Sequence, residues 1–475
     1  MARRRAYPSP VVRTSGLVAL SALAATALLP ACNGGQASSS DGGVTDATPP
    51  DVAMDVPPPP PHDGPNTLFS ELPGSLCFGP DGKRTLVPGG LAAPTLTWLT
   101  LPDGFCVHYF AHVTKTRQMR FAPGGELFAA SPSTPTNGPA PDGLGEIIVL
   151  SDDDADGYAD GDALPHADGS PQSLTSFTSV ASVQGLMFTP GLLYFQNGTQ
   201  IMKVPYSTGQ RALEGTPEVV ADISAANGMY VSALHWPKTF DVSDDGTIYV
   251  GNGGDQSQQC NSSMFPTLPF TGGVLKIDGT PAGTPVARGF RNPYAVRCQK
   301  GHDLCFAAEL GLDGSGPEGG REKIVPIRQG DDWGYPCCAT TNVPEPDLTG
   351  APDCSSVPTE PVSFVIGDTP FGLDFETGVW PAPFTNNIMV TLHGHTGSWA
   401  GARIVAIPTR SNGMPVPSSD LGASTLVDLA TGWDDGLQDH GRPAAVTFAA
   451  DGRAFVANDY NGDIFWIAPV GLKIP

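Results

Sequence analysis

Asp245-Gly246-Thr247-Ile248-Tyr249-Val250 is a turn feeding a compact apolar run, and the same phrase returns along the whole chain. Its companions are Gly124-Gly125-Glu126-Leu127-Phe128-Ala129, Pro190-Gly191-Leu192-Leu193-Tyr194-Phe195 and Gly301-His302-Asp303-Leu304-Cys305-Phe306. Asn386-Asn387-Ile388-Met389-Val390 and Asp451-Gly452-Arg453-Ala454-Phe455-Val456 complete the set of six. Gly, Asn and Asp tolerate turn dihedrals, and the run behind them suits a pleated surface, so each copy reads as a tight turn into a strand. Steps of several tens of residues leave room for about four strands per copy, the size of one propeller blade. The repeat therefore predicts an all-β fold: a six-bladed β-propeller of four-stranded antiparallel blades around a central channel. Helical stripes are not expected, because Gly and Pro recur too densely for a sustained 3.6 period.

Working outward, the N-terminal segment stands apart. Arg3, Arg4, Arg5 and Arg13 form a positive n-region before an apolar stretch, Leu17 to Leu29, that is short for a membrane helix. It ends in Leu29-Pro30-Ala31-Cys32, which reads as a lipobox with Cys32 as the lipidated residue of an exported lipoprotein; an ordinary secretory signal is the competing reading. Residues 33–66 are rich in Gly, Ser, Asp, Thr and Pro, with a proline run at Pro57 to Pro61. Such a segment buries too little apolar surface to fold and reads as a tether. The folded domain is expected over residues 67–475. Its long irregular connections, Ser131 to Leu144, Asp255 to Gly272 and Asp313 to Gly320, read as functional or covalently pinned.

Nine cysteines are present, and setting aside Cys32 leaves an even number in an exported chain, so four disulfides are expected. Cys298 and Cys305 could staple a hairpin, while the remaining pairings are open. A zinc site would ask for C-x-x-C pairs, and there are none. The net charge of −23 argues against nucleic acid or an anionic lipid surface as partner, leaving the lipid anchor as the only membrane contact.

One acidic stretch stands out, Asp152-Asp153-Asp154-Ala155-Asp156-Gly157-Tyr158-Ala159-Asp160. Carboxylates at Asp152, Asp154 and Asp156, with Gly157 for the bend and Asp160 beyond it, match the start of a calcium loop, although Ala163 stands where a bidentate Glu would close an EF-hand. A truncated structural Ca²⁺ loop is the expectation; a solvated acidic turn is the alternative.

A second constellation is Ala287-Arg288-Gly289-Phe290-Arg291-Asn292-Pro293-Tyr294, followed by Glu309-Leu310-Gly311, Arg321-Glu322-Lys323-Ile324 and Asp331-Asp332-Trp333-Gly334-Tyr335-Pro336. Taken with His235-Trp236-Pro237-Lys238-Thr239, Asp368-Thr369-Pro370-Phe371-Gly372-Leu373, Leu392-His393-Gly394 and Gly441-Arg442-Pro443, it resembles the pyrroloquinoline quinone (PQQ)-dependent soluble glucose, sorbosone and pyranose dehydrogenases. The resemblance runs over nearly all of residues 105–470 in the family's order. It implies a propeller with PQQ over the channel mouth and Ca²⁺ beside it. By that resemblance Arg291, Asn292, Arg442 and Lys238 bind the cofactor, and the backbone carbonyls of Gly311 and Leu312 hold the cofactor-site calcium. His235 matches the catalytic base, taking the anomeric hydroxyl proton while hydride passes to the quinone. Trp236, Trp333 or Trp399 could face the sugar ring.

Departures are specific. Leu234 precedes the histidine where the glucose-oxidising branch carries Asp, and Leu312 replaces a common Pro. A family lysine in the fifth blade has no clear equivalent, with His393 or His395 nearby instead. The reading is thus a tethered, extracytoplasmic sugar dehydrogenase that passes electrons to a separate acceptor, as no C-x-x-C-H haem site is present. A non-catalytic carbohydrate- or protein-binding propeller and a calcium-dependent lactonase are its rivals on the same scaffold.

Overall fold

The structure, a computed structural model, describes residues 67–90, 93–132, 145–160, 175–229, 235, 239–254, 260, 272–312, 321–345, 353–395, 397–417, 426–436 and 440–474. Cys32, the tether, Trp236 and Lys238 lie outside the described residues, as do most of the three long connections.

Six four-stranded antiparallel blades form the ring. Blade 1 is Gln118–Phe121, Leu127–Ser131, Gly145–Leu150 and Thr175–Val180. Blade 2 is Leu186–Thr189, Leu192–Asn197, Gln200–Pro205 and Glu218–Asp222. Blade 3 comprises Phe240–Val242, Ile248–Asn252, Gly273–Ile277 and Thr284–Arg288. Blade 4 comprises Asn292–Gln299, Leu304–Leu310, Glu322–Pro326 and Val362–Phe364. Blade 5 has Pro370–Phe375, Ile388–Leu392, Arg403–Ile407 and Val427–Ala430. Blade 6 takes Pro443–Phe448, Ala454–Asn458 and Asp463–Pro469 from the C-terminal end and Phe105–His112 from the N-terminal part. Phe105 opposes Pro469 and His112 opposes Asp463, so backbone hydrogen bonds close the ring between distant parts of the chain. Two further strands, Leu76–Gly79 and Lys83–Leu86, extend that blade outward.

The first strand of each blade touches the first strands of its neighbours in cyclic order, which places these strands on the channel wall. Every copy of the repeated phrase is the turn between first and second strand. All six turns thus share the far end of the hairpins. The near end collects the residues just before each first strand and just after each second strand.

Blades stack face to face, so their strands are covered on both sides. Ile388–Leu392 is buried at every position, as is Asp463–Pro469. This explains why the apolar runs are continuous rather than alternating. The cores lie between adjacent blades; Phe306, Ile324 and Val362 of blade 4 pack with Leu373, Val390 and Val405 of blade 5.

Eight cysteines form four disulfides: Cys77–Cys106, Cys260–Cys337, Cys298–Cys305 and Cys338–Cys354. The hairpin staple expected at Cys298 and Cys305 is present, the two being cross-strand partners. No helix among the described residues is long and apolar enough to cross a membrane.

Candidate active site

The near end of blades 3 and 4 is built on backbone. Residues Gly253 and Gly254 leave the second strand of blade 3 and run between two site residues. Gly253 N–H donates to the His235 carbonyl at 2.9 Å, and Gly254 N–H donates to the Arg291 carbonyl at 2.7 Å. Only glycine fits at 253, since a Cβ there would stand 2.3 Å from the His235 Cβ. His235, 4% exposed, places Nδ1 at 2.8 Å from the Gly254 carbonyl oxygen. A carbonyl only accepts, so Nδ1 carries a proton, and in the neutral ring the acceptor lone pair is on Nε2. That is the tautomer a general base needs.

Arg291 and Asn292 open the first strand of blade 4, both buried. The Arg291 N–H donates to Glu309 Oε1 at 2.7 Å. Glu309 is buried at the end of the next strand, and burial pushes its carboxyl up to about 7 against the pull of Lys323 and Arg291. Lys323, also buried, donates from Nζ to the Trp333 carbonyl at 3.2 Å. Asn292 Oδ1 and Glu309 Oε2 are buried with no hydrogen-bond partner among the described residues. Asn292 pairs with Leu310, so Gly311 and Leu312 emerge beside the Arg291-Asn292 pair.

The near end of blades 5, 6 and 1 is built on side chains. Asp459 follows the second strand of blade 6 and binds Arg117, which precedes the first strand of blade 1, through a close ion pair. The same carboxylate accepts from His393 Nε2 at 2.9 Å. Burial alone would raise Asp459, but Arg117, with His393 and Arg442, holds it below the usual carboxylate range. Burial drives His393 down to about 3, so its ring is neutral and donates its Nε2 proton to Asp459. Arg442, 2% exposed, donates from Nε to the His393 carbonyl at 2.6 Å and from Nη2 to the Gly394 carbonyl.

Aromatic rings complete this half. Phe371 is stacked between Tyr294 and His393, with centroids 4.0 and 3.8 Å away. The Arg117 guanidinium lies 5.5 Å from the Phe371 centroid, a cation–π distance. Arg442 stands 5.0 Å from the Trp399 ring and 5.7 Å from that of Tyr460. Tyr460 is 58% exposed, so an aromatic face lies open beside the buried Arg442 guanidinium.

The structure thus sets His235 and Arg291 on one rail, with Asn292 next in the chain and Glu309 bound to the Arg291 N–H, while Arg442 joins the neighbouring network through the His393 carbonyl. Of the tryptophans, Trp333 is buried in the blade 3–4 core and Trp399 is tied to the Gly441 carbonyl at 2.8 Å. Arg117, Asp459, Phe371 and Tyr460 were not singled out by sequence, nor was the role of Gly253-Gly254. At the far end, Asp152, Asp154 and Asp156 gather, each with a carboxylate oxygen within 4.8 Å of the others. Asp160 is directed elsewhere, its Oδ2 accepting from Asp153 N–H at 2.6 Å.

No family model matches the chain, and no curated protein matches it. Solved structures do. An iodide structure of a Trichoderma reesei carbohydrate-active enzyme of family AA12 is similar at a TM-score of 0.59 and 16% identity, over 80% of this chain and 100% of that one. A calcium structure of the T. reesei AA12 enzyme matches at 0.56 and 16%, over 78% and 97%. The soluble aldose sugar dehydrogenase of Escherichia coli, in its apo-form, matches at 0.51 and 11%, over 77% and 99%.

The chain shares their fold.

At these identities the likeness is one of architecture alone.

Proposed function

We propose that the chain is an exported, PQQ- and Ca²⁺-dependent sugar dehydrogenase that oxidises an aldose or related sugar at its anomeric carbon to the lactone. The observation that carries this reading is the joint anchoring of His235 and Arg291 on one backbone rail, next to the buried acceptors of Asn292 and Glu309.

The residues fit a planar tricarboxylate. Arg291 and Arg442 place two buried guanidinium charges that favour carboxylates, Arg442 being held in place by the His393 and Gly394 carbonyls, and the orphaned Asn292 Oδ1 could accept from a ligand N–H or O–H. Arg291 and Asn292 from blade 4, Arg442 from blade 6 and Lys238 before blade 3 would hold the quinone. The backbone carbonyls of Gly311 and Leu312 would hold its Ca²⁺. When bound, the quinone supplies a two-electron acceptor for the hydride of the anomeric carbon. His235 Nε2 takes the proton of the anomeric hydroxyl, and the hydrogen bond from Nδ1 to Gly254 stabilises the imidazolium that results. Tyr460 offers its open face to the apolar side of the sugar ring. The electrons pass on to a separate acceptor.

Four disulfides suit an oxidising compartment. With the signal and lipobox at Cys32, they support a propeller tethered to the cell envelope.

The test is reconstitution. Purified apo-protein given Ca²⁺ and PQQ should reduce a dye in the presence of an aldose, and neither component alone should suffice. Absence of any spectral change with PQQ, together with no dye reduction on a panel of aldoses, rejects the reading.

A further inference from the structure

The acidic loop that begins between the third and fourth strands of blade 1 plays no part in the redox site, since it leaves the far end of the third strand, Gly145–Leu150. Its path is informative. Asp160 N–H donates to the Ser151 carbonyl at 2.7 Å and closes the loop on itself. Ala159 N–H then donates to the Phe110 carbonyl at 2.9 Å, and Trp466 Nε1 donates to the Gly157 carbonyl at 3.2 Å. Phe110 and Trp466 belong to blade 6. The loop therefore crosses the seam between the first and last blades. Gly157 has φ +91°, and a Cβ there would stand 2.6 Å from Leu72 Cδ2, so no other residue lets the loop lie this close.

Asp152, Asp154 and Asp156 bring three carboxylate oxygens within 4.8 Å of one another at this crossing. Crowding alone would be an ordinary acidic turn. The Asp152 side chain, however, is only 9% exposed, and its Oδ1 is buried without a hydrogen-bond partner among the described residues. The nearby guanidinium of Arg453 approaches only the other oxygen, at 3.7 Å, and hydrogen-bonds to Asp451 instead. Arg211 is engaged in a fork on Asp153. A cavity of about 460 Å³ opens beside the loop, lined in part by Asp152, Asp153, Glu126 and Asp451. It gives room for the water ligands that hard cations keep.

We propose that Asp152, Asp154 and Asp156 bind a divalent cation that fastens the seam between the first and last blades, at the end of the ring remote from the redox site. The donor set is all oxygen, which selects Ca²⁺ over softer metals. The bound ion ties blade 1 to blade 6 where the blades share no strand pairing. Asp160 braces the loop through Asp153 rather than joining the cluster.

The test uses the full chain without quinone, so its outcome does not depend on the redox reading. Tb³⁺ luminescence excited through Tyr158, two residues beyond Asp156 and buried against His108, reports occupancy directly. Ca²⁺ should compete with the Tb³⁺, raise Tm by several degrees over EDTA, and do so more effectively than equal Mg²⁺. Hydrogen exchange at Ala159 should slow when Ca²⁺ is added. Asp154 and Asp156 are exposed, so the double variant D154N/D156N is expected to melt in EDTA no lower than the parent. It should lose the Tyr158-excited Tb³⁺ signal, one equivalent of bound Ca²⁺ and most of the Tm response. A Tb³⁺ signal, a stoichiometry and a Tm response that all survive D154N/D156N place the ion elsewhere and overturn the proposal. A parent protein whose Tm ignores Ca²⁺ overturns it equally.

Discussion

Blades 3 and 4 hold His235 and Arg291 by main-chain hydrogen bonds and leave Asn292 Oδ1 and Glu309 Oε2 without partners among the described residues. Blades 5, 6 and 1 rely on side-chain contacts instead. There Asp459 holds both the Arg117 charge and the neutral His393 ring, Arg442 donates to the His393 and Gly394 carbonyls, and Phe371 is stacked between Tyr294 and His393, although Asp459 Oδ1 too has no partner among the described residues. The difference separates two tasks. Side chains that bind one another directly make a rigid wall, whereas residues set on backbone with open acceptors between them favour a ligand. The first half is where chemistry and cofactor recognition should respond to substitution. The second is where the fold itself should respond.

The harshest way to break this contrast is Asp459→Asn. It leaves Arg117 buried without its counter-ion, and removing one partner of such a pair costs about 3–5 kcal/mol. Thermal unfolding should show a large fall in Tm, with cofactor binding lost along with the fold. An Asp459→Asn protein that melts like the parent would remove the structural role assigned to this half.

Glu309→Gln probes the other half through pH. Burial raises the Glu309 carboxyl to about 7, from 4.5 in the unfolded chain. The contribution is therefore fully present below about pH 4.5 and is lost as pH rises through 7, by roughly 3 kcal/mol in all. Denaturant unfolding of the apo-protein should weaken over that window, and the Gln variant should flatten this part of the profile. An unchanged profile would show that Glu309 is not the titrating group.

Tyr460→Ala is the gentlest probe. It removes the exposed ring beside Arg442 without opening a core cavity. Losing a sugar-stacking face worth about 1 kcal/mol should raise KM for the sugar severalfold, with PQQ affinity unchanged. A KM equal to that of the parent removes Tyr460 from the sugar site.

The fold was legible because the repeated phrase is the hairpin turn of every blade, a feature fixed locally by turn residues and the apolar run behind them. The site was only half legible for the same geometric reason. The turns lie at the far end, so functional residues sit one strand before and one strand after each copy. His235, Arg291 and Arg442 precede first strands and could be read from neighbouring phrases. Gly253-Gly254 and Asp459-Tyr460 follow second strands, in positions the phrase does not advertise. Arg117 also precedes a first strand, but its partner Asp459 is at the other end of the chain, and only ring closure brings the two together. The disulfides divide similarly. Cys298–Cys305 spans one hairpin and was readable, whereas Cys260–Cys337 depends on how loops from different blades meet.

The central claim is that His235 moves the proton while its neighbours hold the cofactor. The direct measurement is rapid mixing of reconstituted protein with an aldose carrying hydrogen or deuterium at the anomeric carbon, comparing the parent with His235→Gln while PQQ binding is titrated separately. The account predicts PQQ affinity within about twofold of the parent, a rate of cofactor reduction lower by about 10²–10⁴, and a primary isotope effect in both proteins. Reduction of His235→Gln at the parental rate, or a loss of PQQ affinity that alone explains the slower rate, would contradict it.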